Sequence, residues 1–447
     1  MTTSERLPVV QRARTLLLLL VLSVVAATLT GVQPATANAS GVQSTTTLNP
    51  LPAAQRNAYK LHPGAGAAGL ETYGAPIRAV EATGNVTRTS PAAVALSRQH
   101  VGRALCHGTG LNGAYLYDGF CWDAGDDATS AWSGGWHPQG LTASHDAQPG
   151  GTVDGHHLYV ASWYYGTGET TRDQFARVSF LKSTGTDRSY GHVMLVKPKN
   201  TGASATFEAV TNVHADGMVW YGNKLYVANG GELQVYDTQF LWRMESTATD
   251  RVGIANGVSS ARYHQWALPM VARYVTTDPE EANVRTCPGE QACLGSLSLD
   301  RSGPVDHLVS GEYLNPGTRT THVARWPLND ATDLLASDSG ATFGTTTATG
   351  VYAVPASVRR VQGVATDGTR YYLAGQCADG YMGDANTSDP LSYSCIFESL
   401  PGGVPTVLTR SPTLTQNLSY APSSGRLWGL NEQTNHRVVF SILPSAV

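Results

Sequence analysis

Four segments of this chain open alike, and that repetition limits its fold more than any other feature. Val213-His214-Ala215-Asp216-Gly217-Met218 leads through Gly222-Asn223-Lys224 to Leu225-Tyr226-Val227-Ala228. Val361-Gln362-Gly363-Val364 leads through Asp367-Gly368-Thr369 to Tyr371-Tyr372-Leu373-Ala374. Trp136-His137-Pro138-Gln139-Gly140-Leu141 reaches Leu158-Tyr159-Val160-Ala161 after an insertion, and Thr415-Gln416-Asn417-Leu418 reaches Leu427-Trp428-Gly429-Leu430 through Gly425-Arg426. A fifth, less regular unit begins at Tyr263-His264-Gln265-Trp266-Ala267-Leu268. Short apolar and aromatic runs cut by Gly, Asn and Asp are antiparallel strands joined by tight turns. A unit of such strands cannot cover its own apolar face, so copies stack on one another. The chain is therefore expected to be all-β, a β-propeller of about five four-stranded blades, with a double sandwich as the alternative.

One short N-terminal helix is expected before the strands: Ser90 is an N-cap, Pro91 suits the first helical position, and Ala92 to Leu105 is compatible with helix. Further upstream, Arg6, Arg12 and Arg14 precede an apolar run from Leu16 to about Val32, followed by Ala35-Thr36-Ala37-Asn38-Ala39. This is the layout of a secretory signal peptide over 1–39, with a membrane anchor as the alternative. Residues 40–85 read as a low-complexity linker, and 86–447 as the propeller domain with its helical lead-in. No later stretch is apolar enough to span a membrane, so the expected product is secreted, extracellular and monomeric.

The six cysteines of an exported chain point to disulfides, and close spacing favours Cys106 with Cys121, Cys287 with Cys293, and Cys377 with Cys395. With 41% hydrophobic and 14% charged residues the chain is not disordered, and a net charge of −4 leaves no basic footprint for nucleic acid.

The His214–Met218 and Gly222–Ala228 openings resemble those of uncharacterised secreted actinobacterial β-propeller proteins, a likeness covering about Gly134 to Leu443. The resemblance implies that the first strand of each unit lines a central channel. It implies no chemistry, because propellers host lectins, hydrolases, lyases and scaffolds alike.

In such a ring the equivalent positions of successive units converge at one mouth. They are His137 and Gln139, His214 and Asp216, His264 and Trp266, Gln362, and Gln416 with Asn417. Imidazole, carboxylate and carboxamide groups there would hold a sugar by hydrogen bonds, with Trp136, Trp220, Trp266 and Tyr165 as stacking faces. The plain alternative is a polar ring that satisfies itself and water. His214, Asp216 and His137 are the candidates for proton transfer, and Asp216, Glu312 and Glu432 form a further carboxylate set. No metal site and no cofactor is assigned, although the mixed set of His137, His214 and Asp216 is of a type that divalent metals accept. Asp123, Asp126 and Asp127 read as a solvated loop or, less simply, as calcium ligands.

Three functions fit these residues: binding of an extracellular glycan or small molecule at the channel mouth, a glycoside hydrolase or polysaccharide lyase using the same mouth, and a protein-interaction scaffold acting through the insertions near 142–154 and 329–350.

Overall fold

The repeated segments become strands that converge on one axis in a computed structural model of the chain. It describes residues 45–64, 71–130, 134–166, 175–201, 204–278, 287, 289, 291–315, 317–377 and 393–447. The expected signal peptide, 1–39, lies outside the described residues.

Strand β1 (Asp118–Cys121) precedes a first antiparallel set, β2 (Gly135–Ala143), β3 (Leu158–Gly166), β4 (Phe175–Lys182) and β5 (Ser189–Thr201). A second set follows in β6 (Gly217–Tyr221), β7 (Lys224–Asn229), β8 (Glu232–Asp237) and β9 (Trp266–Val275). The third set is β10 (Ser298–Asp300), β11 (His307–Gly311), β12 (His322–Asn329) and β13 (Gly350–Ala353). The fourth is β14 (Arg359–Thr366), β15 (Tyr371–Gln376), β16 (Ser394–Ser399) and β17 (Thr406–Ser411). The last begins with β18 (Thr415–Ala421), β19 (Arg426–Asn431) and β20 (Val438–Ile442) and is completed by β1, Val438 pairing with Cys121. The first strands of the sets neighbour one another in a closed cycle, β2–β6–β10–β14–β18 and back to β2. The architecture is thus predominantly β and of propeller type.

The repeated glycines explain how these strands come so close. A Cβ on Gly217 would run into the backbone of Leu297, and one on Gly363 into the Gln416 carbonyl. Only a residue without a side chain lets neighbouring inner strands approach this far. Strands such as β7 are apolar without alternation because both faces are covered by the adjoining sets. Trp122, Tyr159, Trp163, Leu430 and Val439 fill the space between the first and last sets. Leu418, Leu427, Phe440, Tyr372 and Ile396 do so between the fourth and the last.

The ring is fastened where β1 meets β20. Cys106 is bonded to Cys121, and Asp127 accepts from Arg103 at 2.6 Å and from the Arg437 amide at 2.9 Å. Cys287 is bonded to Cys293 and Cys377 to Cys395.

Three sequence expectations differ from the structure. The helix at Ser90 is short: α2 runs only over Pro91–Ala95, because Arg98 turns into the left-handed region (φ 55°) and the chain then pairs as strands with β5 and β1. The described part of the expected linker is structured, with α1 (Glu71–Ala82) burying Tyr73, Ile77 and Val80, whose helical spacing aims one face at β5 and β9. The segment Tyr263–Leu268 does not open an inner strand. It leads into β9, the outermost strand of its set, which also pairs in parallel with β5 at Val193–Trp266. The inner strand of the third set is the three-residue β10, too short to give a periodic signal. Among the described residues, no helix is long and apolar enough to cross a membrane.

Candidate functional site

Three of the inner strands share an irregularity at one end. Pairing slips between Pro138 and Leu141 in β2, between Arg359 and Gly363 in β14, and between Thr415 and Leu418 in β18. Each slip holds a carboxamide, Gln139, Gln362 or Gln416, beside the point of closest approach. Extra residues of this kind bend a strand and re-aim a side chain.

At this mouth Gln139 donates from Nε2 to the Glu432 carboxylate, and His137 Nδ1 lies 3.6 Å from the same Glu432 oxygen. Tyr164 brings its hydroxyl to 3.3 Å from His137 Nδ1 and stacks its ring on His214 with centroids 4.2 Å apart. His214 Nδ1 is 2.7 Å from Asp216 Oδ1. Between them Ala215 sits at φ 58°, a left-handed conformation costly for a residue with a Cβ, which sets the imidazole and the carboxylate side by side. The His214 amide donates to Asn229 Oδ1 at 3.0 Å and fixes this corner. Glu432, His214 and Asp216 keep 17%, 23% and 20% of their side-chain surface in solvent, so the group is reachable from outside. His137 is more deeply buried, and its Nε2 has no hydrogen-bond partner among the described residues.

Burial pushes the Glu432 pKa up. The hydrogen bond and charge of His137, with His214 and Gln139, act against it, and the net result lies below the usual carboxylate range. Glu432 is therefore ionised at neutral pH.

The other candidate residues have different places. Asn417 is fully buried, donating to the Leu141 carbonyl at 2.8 Å and accepting from the Leu297 amide at 3.0 Å, which ties three sets together. Gln416 is buried as well, with Nε2 on the Leu414 carbonyl, whereas Gln362 is half-buried. Trp220 and Trp266 pack in the core, Trp220 against Phe180. Tyr165 and His264 line a separate lateral cavity together with Trp136. Glu312 is buried and engaged by Arg319, His322 and the Cys293 amide, so its carboxylate is occupied. Asp126 and Asp127 are buried ion-pair partners and not a solvated loop. Tyr164 stands in the aromatic run Trp163-Tyr164-Tyr165, whose glycine-flanked composition suits sugar stacking, but nothing in that run distinguishes it from its neighbours.

No family model matches the chain, and no curated protein does either. Among solved structures it is similar to a GH43_1 enzyme from Xanthomonas citri complexed with xylose, at 14% identity and a TM-score of 0.30, over 79% of this chain and 92% of that one. A beta-xylosidase matches at 9% identity and a TM-score of 0.30 over 68% of this chain and 91% of that one. The beta-propeller domain of Cps50 (Swd1) from Myceliophteria thermophila matches at 8% identity and a TM-score of 0.28, over 68% and 82%. Scores of this size place the chain in no family, and the propeller-type architecture rests on the strand order itself.

Proposed function

We propose that the protein is an exported, monomeric five-bladed propeller that hydrolyses a glycosidic bond at the mouth of its channel. The observation that supports this is the convergence of two carboxylate–imidazole pairs, Glu432 with His137 and Asp216 with His214, on the single ring of Tyr164. A site that only binds needs aligned donors and stacking faces. Carboxylates drawn from separate strands, each beside an imidazole, suit proton transfer.

Glycoside hydrolysis needs one carboxyl group as base or nucleophile and a second group as proton donor on the opposite side of the bond. Glu432, held ionised, takes the first role in this reading, and Gln139 and His137 keep its carboxylate aimed. The His214–Asp216 pair takes the second, with Asp216 orienting the imidazole. Tyr164 supplies an aromatic wall, while Gln362 reaches the substrate's hydroxyl groups from β14. Three disulfides fit an oxidising destination and an exported chain whose leader is 1–39.

The test is a panel of soluble and insoluble polysaccharides incubated with the mature protein, following released fragments by mass spectrometry and depletion of the protein from solution. Fragments carrying one added water are the expected result. Depletion without fragments would replace the hydrolase with a glycan-binding module. Neither signal would leave the mouth a structural polar ring.

A further inference from the structure

A second constellation lies away from the channel, where the N-terminal segment packs on the first set. Helix α3 (Ala124–Ala128), capped by the Asp123 carboxylate on the Asp126 amide, inserts Asp126 beneath the face of β4 and β5. Asp126 Oδ2 is 3.0 Å from His192 Nε2 and 3.6 Å from His100 Nδ1, and a second carboxylate oxygen, Asp123 Oδ2, is 2.6 Å from that same His100 nitrogen. The donors come from three elements far apart in sequence, so their meeting is a product of the fold. Of these donors, His100 and His192 line a cavity of about 340 Å³, together with His264, Trp136, Tyr165 and Arg177, among others.

We infer that His100, His192 and Asp126 form a site for a divalent transition metal, with Asp123 as a neighbouring contact of His100 and an open position toward the lateral cavity. Bonds of about 2.0–2.1 Å from a tetrahedral zinc to nitrogen and oxygen put neighbouring donors roughly 3.3 Å apart, and the two Asp126 separations bracket that value. Two imidazoles with a carboxylate suit zinc and its neighbours better than calcium or magnesium, which prefer oxygen alone. The outer contacts are those a ligating set requires. His192 meets Ser179 Oγ at 2.8 Å through Nδ1, leaving Nε2 directed at Asp126, and Arg177 donates at 2.7 Å to Asp126 Oδ1, leaving Oδ2 for the ion. Tyr190 donates its hydroxyl to Oδ2 at 2.6 Å and would swing its hydrogen away on binding. As the metal takes Nε2, the single proton of the neutral His192 ring would sit on Nδ1 and face Ser179 Oγ.

The site is independent of the channel reaction, and its test does not use activity. Full-length mature protein, stripped with a chelator, would be titrated with zinc by calorimetry and with cobalt(II) by visible absorption. One ion per chain, with the ligand-field bands of a four- or five-coordinate cobalt centre, is the expected result. His100 is the most exposed ligand, so His100→Ala should fold and yet lose stoichiometric binding, as should His192→Gln, whereas His214→Ala at the channel should bind as the unaltered protein does. Zinc should also raise the unfolding temperature of the unaltered protein but not of His100→Ala. Absence of stoichiometric binding would overturn the site and leave these residues a hydrogen-bonded network. Binding that survives both His100→Ala and His192→Gln would overturn it equally, by placing the metal elsewhere.

Discussion

Glu432, just past the end of β19, accepts a hydrogen bond from Gln139 in β2 across the seam between the first and last strand sets. The residues that meet there come from opposite ends of the domain, so the site exists only when the ring is closed. Chemistry at the mouth and fastening of β1 to β20 are therefore linked. Removing the Cys106–Cys121 bond, whose ends are 15 residues apart, should cost about 3 kcal/mol by loop entropy. The Cys106→Ala, Cys121→Ala protein should show this in urea unfolding and lose glycan turnover at the same denaturant concentration at which it unfolds.

Asn417 should matter for stability and not for ligand contact. Its carboxamide serves two backbone groups of other strands, Leu141 O and Leu297 N, at a point without solvent. Leaving both unpaired costs about 1–3 kcal/mol each. Asn417→Ala should accordingly lower the unfolding free energy by about 2–6 kcal/mol, while KM for any glycan substrate measured on the folded protein stays unchanged.

Glu312 offers the contrasting carboxylate. Arg319 grips both of its oxygens at 2.9 Å, and the His322 amide and ring complete its shell. Glu312→Ala would strand a half-buried guanidinium, at up to about 3 kcal/mol, so thermal unfolding should come earlier with fragment release by the folded fraction intact.

Several buried histidines, His145 and His264 among them, set an acid-side limit on stability. Burial, chiefly, holds His145 below the ordinary histidine value against the opposing charge of Asp146, and burial with the charge of Arg177 holds His264 at about 3. His264 is neutral in the folded protein at pH 5–6 and His145 stays neutral to lower pH than a free imidazole, whereas the unfolded chain takes up protons below about pH 6.5. Their contribution is fully present above pH 6.5 and falls as the pH drops toward the folded values, with a slope of up to about 1.4 kcal/mol per pH unit for each group. Urea unfolding between pH 7 and pH 4 should show this decline, and it should be shallower in His264→Gln.

Much of the fold was legible because its repeat carries its own physics: Gly217 and Gly363 mark where inner strands touch, and Leu225–Ala228 or Tyr371–Ala374 mark the covered second strands. The helix α1 was hidden because Gly74 and Pro76 weaken the helical pattern of a segment that tertiary packing nevertheless holds. The third inner strand, three residues long, lacks the opening motif of the repeat, so nothing marked it as the inner one. At the site, His137, Gln139, His214 and Asp216 were visible because they stand at equivalent points of the repeat. Tyr164 lies on a second strand and was legible only as part of an aromatic run, and Glu432 was legible as one of three carboxylates with Asp216 and Glu312, while its meeting with Gln139 and His137 was not. Of the lateral cluster only the aspartates were legible, as a solvated loop or calcium ligands, since His100 and His192 reach Asp126 only through the packing of α3 and the His100 segment on β5.

The most direct test of the hydrolase reading is the rate of fragment release by Glu432→Gln, a change that keeps the shape of the side chain and its contact with Gln139 while removing the charge. The expected result is a loss of at least about 100-fold in kcat, with the unfolding temperature and glycan affinity close to those of the unaltered protein. Release at an undiminished rate would contradict the assignment and move the reaction away from the channel mouth.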